Sequence, residues 1–108
     1  MAKVTVRKES QVRIFHLSGS INAQTSGGVA EEITKSAESW PEDKAVLCLV
    51  EVDYVSSAAL RIFMELWKDA KSCGCELILA EPTAEVGEVL QLTGFQNIFK
   101  IVSSVQDA

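Results

Sequence analysis

The run Ala45-Val46-Leu47-Cys48-Leu49-Val50-Glu51-Val52, followed after Asp53 by Tyr54-Val55-Ser56-Ser57-Ala58-Ala59-Leu60, decides how this chain reads. Eight nearly all-apolar residues are what a strand covered on both faces requires. From Ala58 onward Leu60, Ile62, Phe63, Met64, Leu66 and Trp67 recur at helical spacing, while Arg61, Glu65, Lys68, Asp69 and Ser72 gather on a narrower polar face. A buried strand therefore hands over to a helix at Ser56 and Ser57. Unpaired backbone N–H groups and the helix dipole both favour negative charge at such a point. A serine there is either a helix cap, worth about 1 kcal/mol, or a place prepared to receive a phosphate. The wide apolar arc also has two readings: a thick core contact, or a flank near Ile62 or Leu66 left open for a partner.

Outward from this stretch the pattern is regular. Lys3-Val4-Thr5-Val6-Arg7 alternates as a half-buried strand does, and Val12 to Leu17 reads as a second, with Lys8-Glu9-Ser10-Gln11 as the hairpin turn between them. Ser18-Gly19-Ser20 is expected to break the strand. From Thr25, the residues Val29, Ile33, Ala37 and Trp40 mark one face of a helix that Pro41 should stop. Gly74 is placed to end the second helix in the left-handed conformation, and Glu76 to Ala80 is a further short strand. Thr83 is the expected N-cap of a third helix, with Glu85 in its first turn and Val86, Val89 and Leu90 on its buried face. Gly94-Phe95 closes that helix, Ile98 to Val102 forms a last strand, and Ser103 to Ala108 is a polar tail. Two strands followed by alternating helix and strand predict an α/β fold in one domain over residues 1–108, with a mixed β-sheet whose central strands are parallel and pack against helices.

Composition narrows the function. A chain of 108 residues with 47% hydrophobic and 23% charged residues can bury a genuine core without staples. No apolar run approaches the roughly 20 residues needed to cross a bilayer, and no apolar segment follows the N-terminal lysines as a signal peptide requires. A cytoplasmic protein is expected. The net charge of −5, with Lys and Arg scattered, disfavours direct contact with nucleic acid or an anionic membrane surface and suits a protein partner or a small ligand. Cys48 lies inside the apolar run, Cys73 and Cys75 flank Gly74, and His16 is the only histidine, so no metal site and no cofactor is expected. Glycine-rich phosphate loops of Walker or Rossmann type are missing, and so is the Gly-x-Ser-x-Gly elbow, which argues against a Ser57–His16 hydrolase.

The order of Leu17-Ser18-Gly19-Ser20-Ile21-Asn22-Ala23-Gln24-Thr25, the apolar strand, Asp53-Tyr54-Val55-Ser56-Ser57-Ala58-Ala59-Leu60, Leu77-Ile78-Leu79 and Val86 to Phe95 resembles the STAS domains, the group that includes bacterial anti-sigma factor antagonists. The resemblance runs from about Val4 to Val105. It implies a STAS-type fold and a non-enzymatic, partner-switching role. The implied partner is a kinase-type anti-sigma factor that binds the unmodified form and phosphorylates a serine at the start of the second helix, with a phosphatase possible. Aligned on Leu60, Ser57 takes the phosphoacceptor position; Ser56 stands where the family pattern has aspartate and Ala59 where it has glycine. Asn22 replaces a frequent aspartate before the first helix, and Thr25 matches. The implied partner surface comprises Asn22, Thr25, Ser56, Ser57, Ala58 and Arg61. Alternative roles for such a domain are a subunit of a lipid-transport ATP-binding-cassette complex, another regulatory scaffold, or a small nucleotide-binding module.

Overall fold

The computed structural model describes residues 2–9 and 11–108. Five strands, β1 (Lys3–Glu9), β2 (Val12–Ile21), β3 (Lys44–Val55), β4 (Glu76–Ala80) and β5 (Lys100–Val102), lie in the order β1-β2-β3-β4-β5. β1 runs antiparallel to β2, and every other neighbouring pair is parallel. The parallel strands are joined by α1 (Ser26–Ala37), α2 (Ser57–Ser72) and α3 (Ala84–Leu92). Short 3₁₀ turns at Phe95–Asn97 and Val105–Asp107 finish the chain. The expected α/β fold with a mixed sheet is the one observed. The Ser10 part of the expected hairpin turn lies outside the described residues.

All three helices pack on one face of the sheet. Phe15, Leu17 and Ile21 of β2, Ala45, Leu47, Leu49, Val52 and Val55 of β3, and Leu77 and Leu79 of β4 meet Val29 and Ile33 of α1, Leu60, Phe63 and Leu66 of α2, and Val86 and Leu90 of α3. The opposite face is smaller: Ile14, Val46, Cys48, Ile78 and Ala80 are covered by Val105 and Ala108. The C-terminal segment is thus a cover, not the free polar tail that its composition suggested. Its position is held by the Val105 amide, which donates to Glu81 Oε2 at 3.0 Å. The second face is covered over only part of β3, and Val50, expected inside, is 45% exposed. No helix is long and apolar enough to cross a membrane, among the described residues.

Local chemistry explains the element ends. At the end of α2, the Gly74 amide donates to Lys71 O at 3.0 Å and the Cys75 amide to Ala70 O at 2.9 Å, with Gly74 at φ +79. This is the paired bonding of a Schellman stop, as the glycine foretold. Thr83 caps α3 by accepting from the Val86 amide at 3.2 Å. Ile62 and Leu66 are 7% and 4% exposed, so the wide apolar arc of α2 is a core contact.

Further expectations change at the ends of elements, and Lys8 and Glu9 of the expected hairpin turn belong to β1. β2 does not stop at Ser18; it continues to Ile21 through register shifts at His16/Ser18 and Gly19/Ser20, with Gly19 at φ +87 absorbing the irregularity. α1 ends at Ala37, four residues before Pro41. Glu38, Ser39 and Trp40 then take positive φ values of 52, 67 and 56, which turn the chain so that the indole reaches the core. There Trp40 stands 5.9 Å from Phe15 and donates Nε1–H to Asp69 Oδ2 at 2.8 Å. Burial of a large aromatic with its one donor satisfied offsets three unfavourable backbone positions. The last strand is shorter than expected because Phe99 folds inward to stack on Phe95 at 5.5 Å before β5 begins.

Candidate functional site

β2 and β3 end side by side, with Ile21 paired to Val55. The Ser56 amide then donates to Ile21 O at 2.9 Å, so the segment leaving β2 and the start of α2 share one rim at the C-terminal ends of the parallel strands. Loops at that end of an α/β sheet are where binding sites are usually built.

The loop before α1 is held by its own side chains. Asn22 Oδ1 accepts from the amides of Gln24 (2.9 Å) and Thr25 (3.1 Å). The Asn22 amide donates to Thr25 Oγ1 at 2.9 Å, and that hydroxyl donates to Ser20 O at 2.9 Å. Asn22 and Thr25 are half-buried and their polar groups are turned inward, whereas Ala23 and Gln24 are exposed. Within the loop from Asn22 to Thr25, Asn22 and Thr25 shape the backbone, and Ala23 and Gln24 form its outward surface.

The two serines divide their work. Ser56 has extended backbone (φ −95, ψ 176), and its hydroxyl accepts from the Ala59 amide at 3.3 Å. It is the cap. Ser57 is the first residue of α2, exposed, with no acidic residue in that first turn. Ala58 beside it is half-buried, and Arg61, one turn further on, is exposed. Either reading of a strand-to-helix serine was open from the sequence; the structure gives the capping role to Ser56 and leaves Ser57 exposed.

β3 is irregular as it approaches the rim. Val50 and Glu51, then Asp53 and Tyr54, are exposed in pairs between the buried Leu49, Val52 and Val55. Asp53 Oδ1 accepts from the Ser20 hydroxyl at 2.8 Å. Tyr54, 53% exposed, stands two residues before the cap. An exposed tyrosine at such a place has the contact area and low entropy cost of an interface anchor. Strand alternation gave no cue to it, because the doubled exposure breaks the period of two.

The Ser57–His16 pairing does not form. His16 bonds Glu51 at 2.6 Å, and it lies five residues back along β2 from Ile21, roughly 16 Å at strand spacing, so Ser57 has no imidazole base. Burial pushes the Cys75 thiol up to about 11, with Glu42 adding to the effect, and burial raises Cys48 as well. Neither is a ready thiolate. No group of three or more His, Cys, Asp or Glu is arranged to hold a metal ion, among the described residues. A groove of about 610 Å³ lies on the other face of the sheet, floored by Val12, Ile14, Cys48 and Val50, away from the serine rim.

The family model of the STAS domain matches residues 3–108. A curated relative, named as a candidate anti-sigma factor antagonist, BtrV of Bordetella bronchiseptica, is 31% identical over 106 residues, spanning 98% of this chain and 90% of the relative. Among solved structures, a candidate anti-sigma factor antagonist of Thermotoga maritima superposes with a TM-score of 0.89 at 21% identity, covering 96% of this chain and 89% of that one. The anti-sigma factor antagonist SpoIIAA in its unphosphorylated form superposes with a TM-score of 0.79 at 10% identity, covering 97% and 91%. At those identities the superpositions show the fold.

Proposed function

The chain belongs to the STAS domain family, and on that premise we propose that it is an anti-sigma factor antagonist whose unmodified form docks a kinase-type anti-sigma factor and whose Ser57-phosphorylated form is released. The observation that carries this reading is the separation of roles at the head of α2: Ser56 caps the helix, so the exposed hydroxyl of Ser57 is free to be modified without loss of the cap. The docking surface combines the loop from Asn22 to Thr25 with Ser56, Ser57, Ala58 and Arg61, and Tyr54 extends it. The protein itself performs no chemistry in this scheme. The partner transfers the γ-phosphoryl group of ATP to Ser57 Oγ, the hydroxyl proton is lost, and ADP leaves.

Physically the switch acts at the interface. A phosphate brings about −1.5 to −2 charges and three acceptor oxygens. At Ser57 it meets the positive end of a helix, so the fold tolerates it. A partner covering the rim must strip that dianion of water or face it with its own groups. A penalty of about 3 kcal/mol weakens binding roughly a hundredfold, enough to free a micromolar complex.

The test is incubation of the protein with the anti-sigma factor and ATP, followed by mass mapping, beside titration of the partner with Ser57→Asp. Phosphate on Ser57 and a large loss of affinity in Ser57→Asp are expected. An unmodified Ser57, or wild-type affinity in Ser57→Asp, overturns the reading.

A further inference from the structure

The chain has three arginines, and two of them are committed: Arg7 Nε lies 2.8 Å from Glu9, and Arg13 Nη2 lies 3.0 Å from Glu42 and 3.4 Å from Glu38. Arg61 has no carboxylate within ion-pair distance, among the described residues. It is exposed on α2, four residues after the exposed Ser57. Side chains four apart on a helix are neighbours, and helical side chains lean toward the N-terminus, so position 61 puts a guanidinium within reach of a group on Ser57. Its own rival is Glu65, four residues later. That order, cation before acid, is the weaker arrangement along a helix.

The surroundings add to this availability. Ser56 stands at the position where the sequence resemblance sets an aspartate, so no carboxylate at the cap competes for the guanidinium. Asn22, Gln24, Thr25 and Ala58 carry no charge, and Asp53 on β3 is engaged by the Ser20 hydroxyl. Arg61 is therefore a planar, permanently charged donor, one turn from the modifiable hydroxyl and free of an internal partner.

We propose that Arg61 is the residue through which modification of Ser57 is read. In the unmodified protein its guanidinium is offered to a carboxylate of the docked partner. In the modified protein it folds back on the phosphate, withdrawing the cation from the interface as the dianion appears there. This proposal rests on the partner-switching reading above, and it names the chemistry of the partner's contact, an acidic side chain.

The test has two arms. In the first, phosphoserine is installed at position 57 by genetic encoding, with no kinase involved, and its second ionisation is followed by phosphorus NMR. The wild-type phosphate should titrate below that of Arg61→Gln by roughly half a unit, with Arg61→Lys between them. Equal values in all three overturn the clamp. In the second, anti-sigma factor affinity is measured for wild type, Ser57→Asp, Arg61→Gln and the double variant. Arg61→Gln alone should lose about tenfold, and the double variant should be weaker than wild type by less than the product of the two single losses. Independent losses overturn the shared-residue mechanism. The arms separate the two ideas: wild-type affinity in Ser57→Asp would sink the switch, while the titration would still report on Arg61.

Discussion

The amide of Ser56 donates to the carbonyl of Ile21 across 2.9 Å, and this one bond joins the two segments that make up the candidate docking rim. Ile21 closes a strand whose next residue, Asn22, begins the loop before α1; Ser56 caps α2. Thirty-five positions of sequence separate them. Parallel pairing of β2 with β3 brings them together, and the hydrophobic interior of the sheet fixes the register that makes the bond possible.

Ser56→Ala should cost about 1 kcal/mol of stability by removing the acceptor for the Ala59 amide. Tm should fall by roughly 5 °C. Ser57→Ala, at an exposed first helical position, should change stability by less than about 0.5 kcal/mol. Thermal melts of the two variants check the division of roles, and a reversed ranking would place the cap on Ser57.

Ser57→Asp should retain the wild-type Tm within a few degrees, since the added charge meets the N-terminus of α2. Its affinity for the anti-sigma factor should nevertheless drop by one to two orders of magnitude, short of the full effect of a dianion. Calorimetry on the same preparation reads both quantities. Unfolding of the variant would show that the switch works through the fold.

Arg13 and Glu42 form an ion pair buried near the start of β2, where Arg13 Nη1 also donates to the carbonyl of Ser36 and Nε has no partner among the described residues. The pair ties the end of α1 and the loop after it to the sheet. Glu42→Ala leaves a buried guanidinium short of its main counter-charge and should cost about 3–5 kcal/mol. Urea denaturation measures it. Arg13→Met combined with Glu42→Leu should recover most of the loss.

The cysteines should separate by accessibility and ionisation. Exposed Cys73 should label rapidly with a thiol reagent in the native state, and buried Cys48 and Cys75 only on unfolding. Cys75 ionises at 9.0 when free of the fold and near 11 within it. The folded state therefore holds the proton more tightly. That contribution is complete below pH 9 and is lost as pH rises toward 11, so stability should decline over this window. Cys75→Ala should flatten the decline in a pH series of melts.

What the amino-acid order determined unaided was local in origin. The stop at Gly74, the cap at Thr83, the buried faces of all three helices and the mixed α/β class follow from spacing, backbone freedom and the burial of apolar area, which neighbouring residues specify among themselves. Other features required contacts between distant segments. The left-handed path from Glu38 to Trp40 exists because Phe15 and Asp69 receive the indole. The paired exposure along β3 follows its irregular register with β2. Two adjacent serines look alike in a string of letters. Only the folded path of the chain, extended at Ser56 where its amide is held by Ile21 and helical from Ser57, turns the Ser56 hydroxyl to the Ala59 amide and leaves Ser57 exposed.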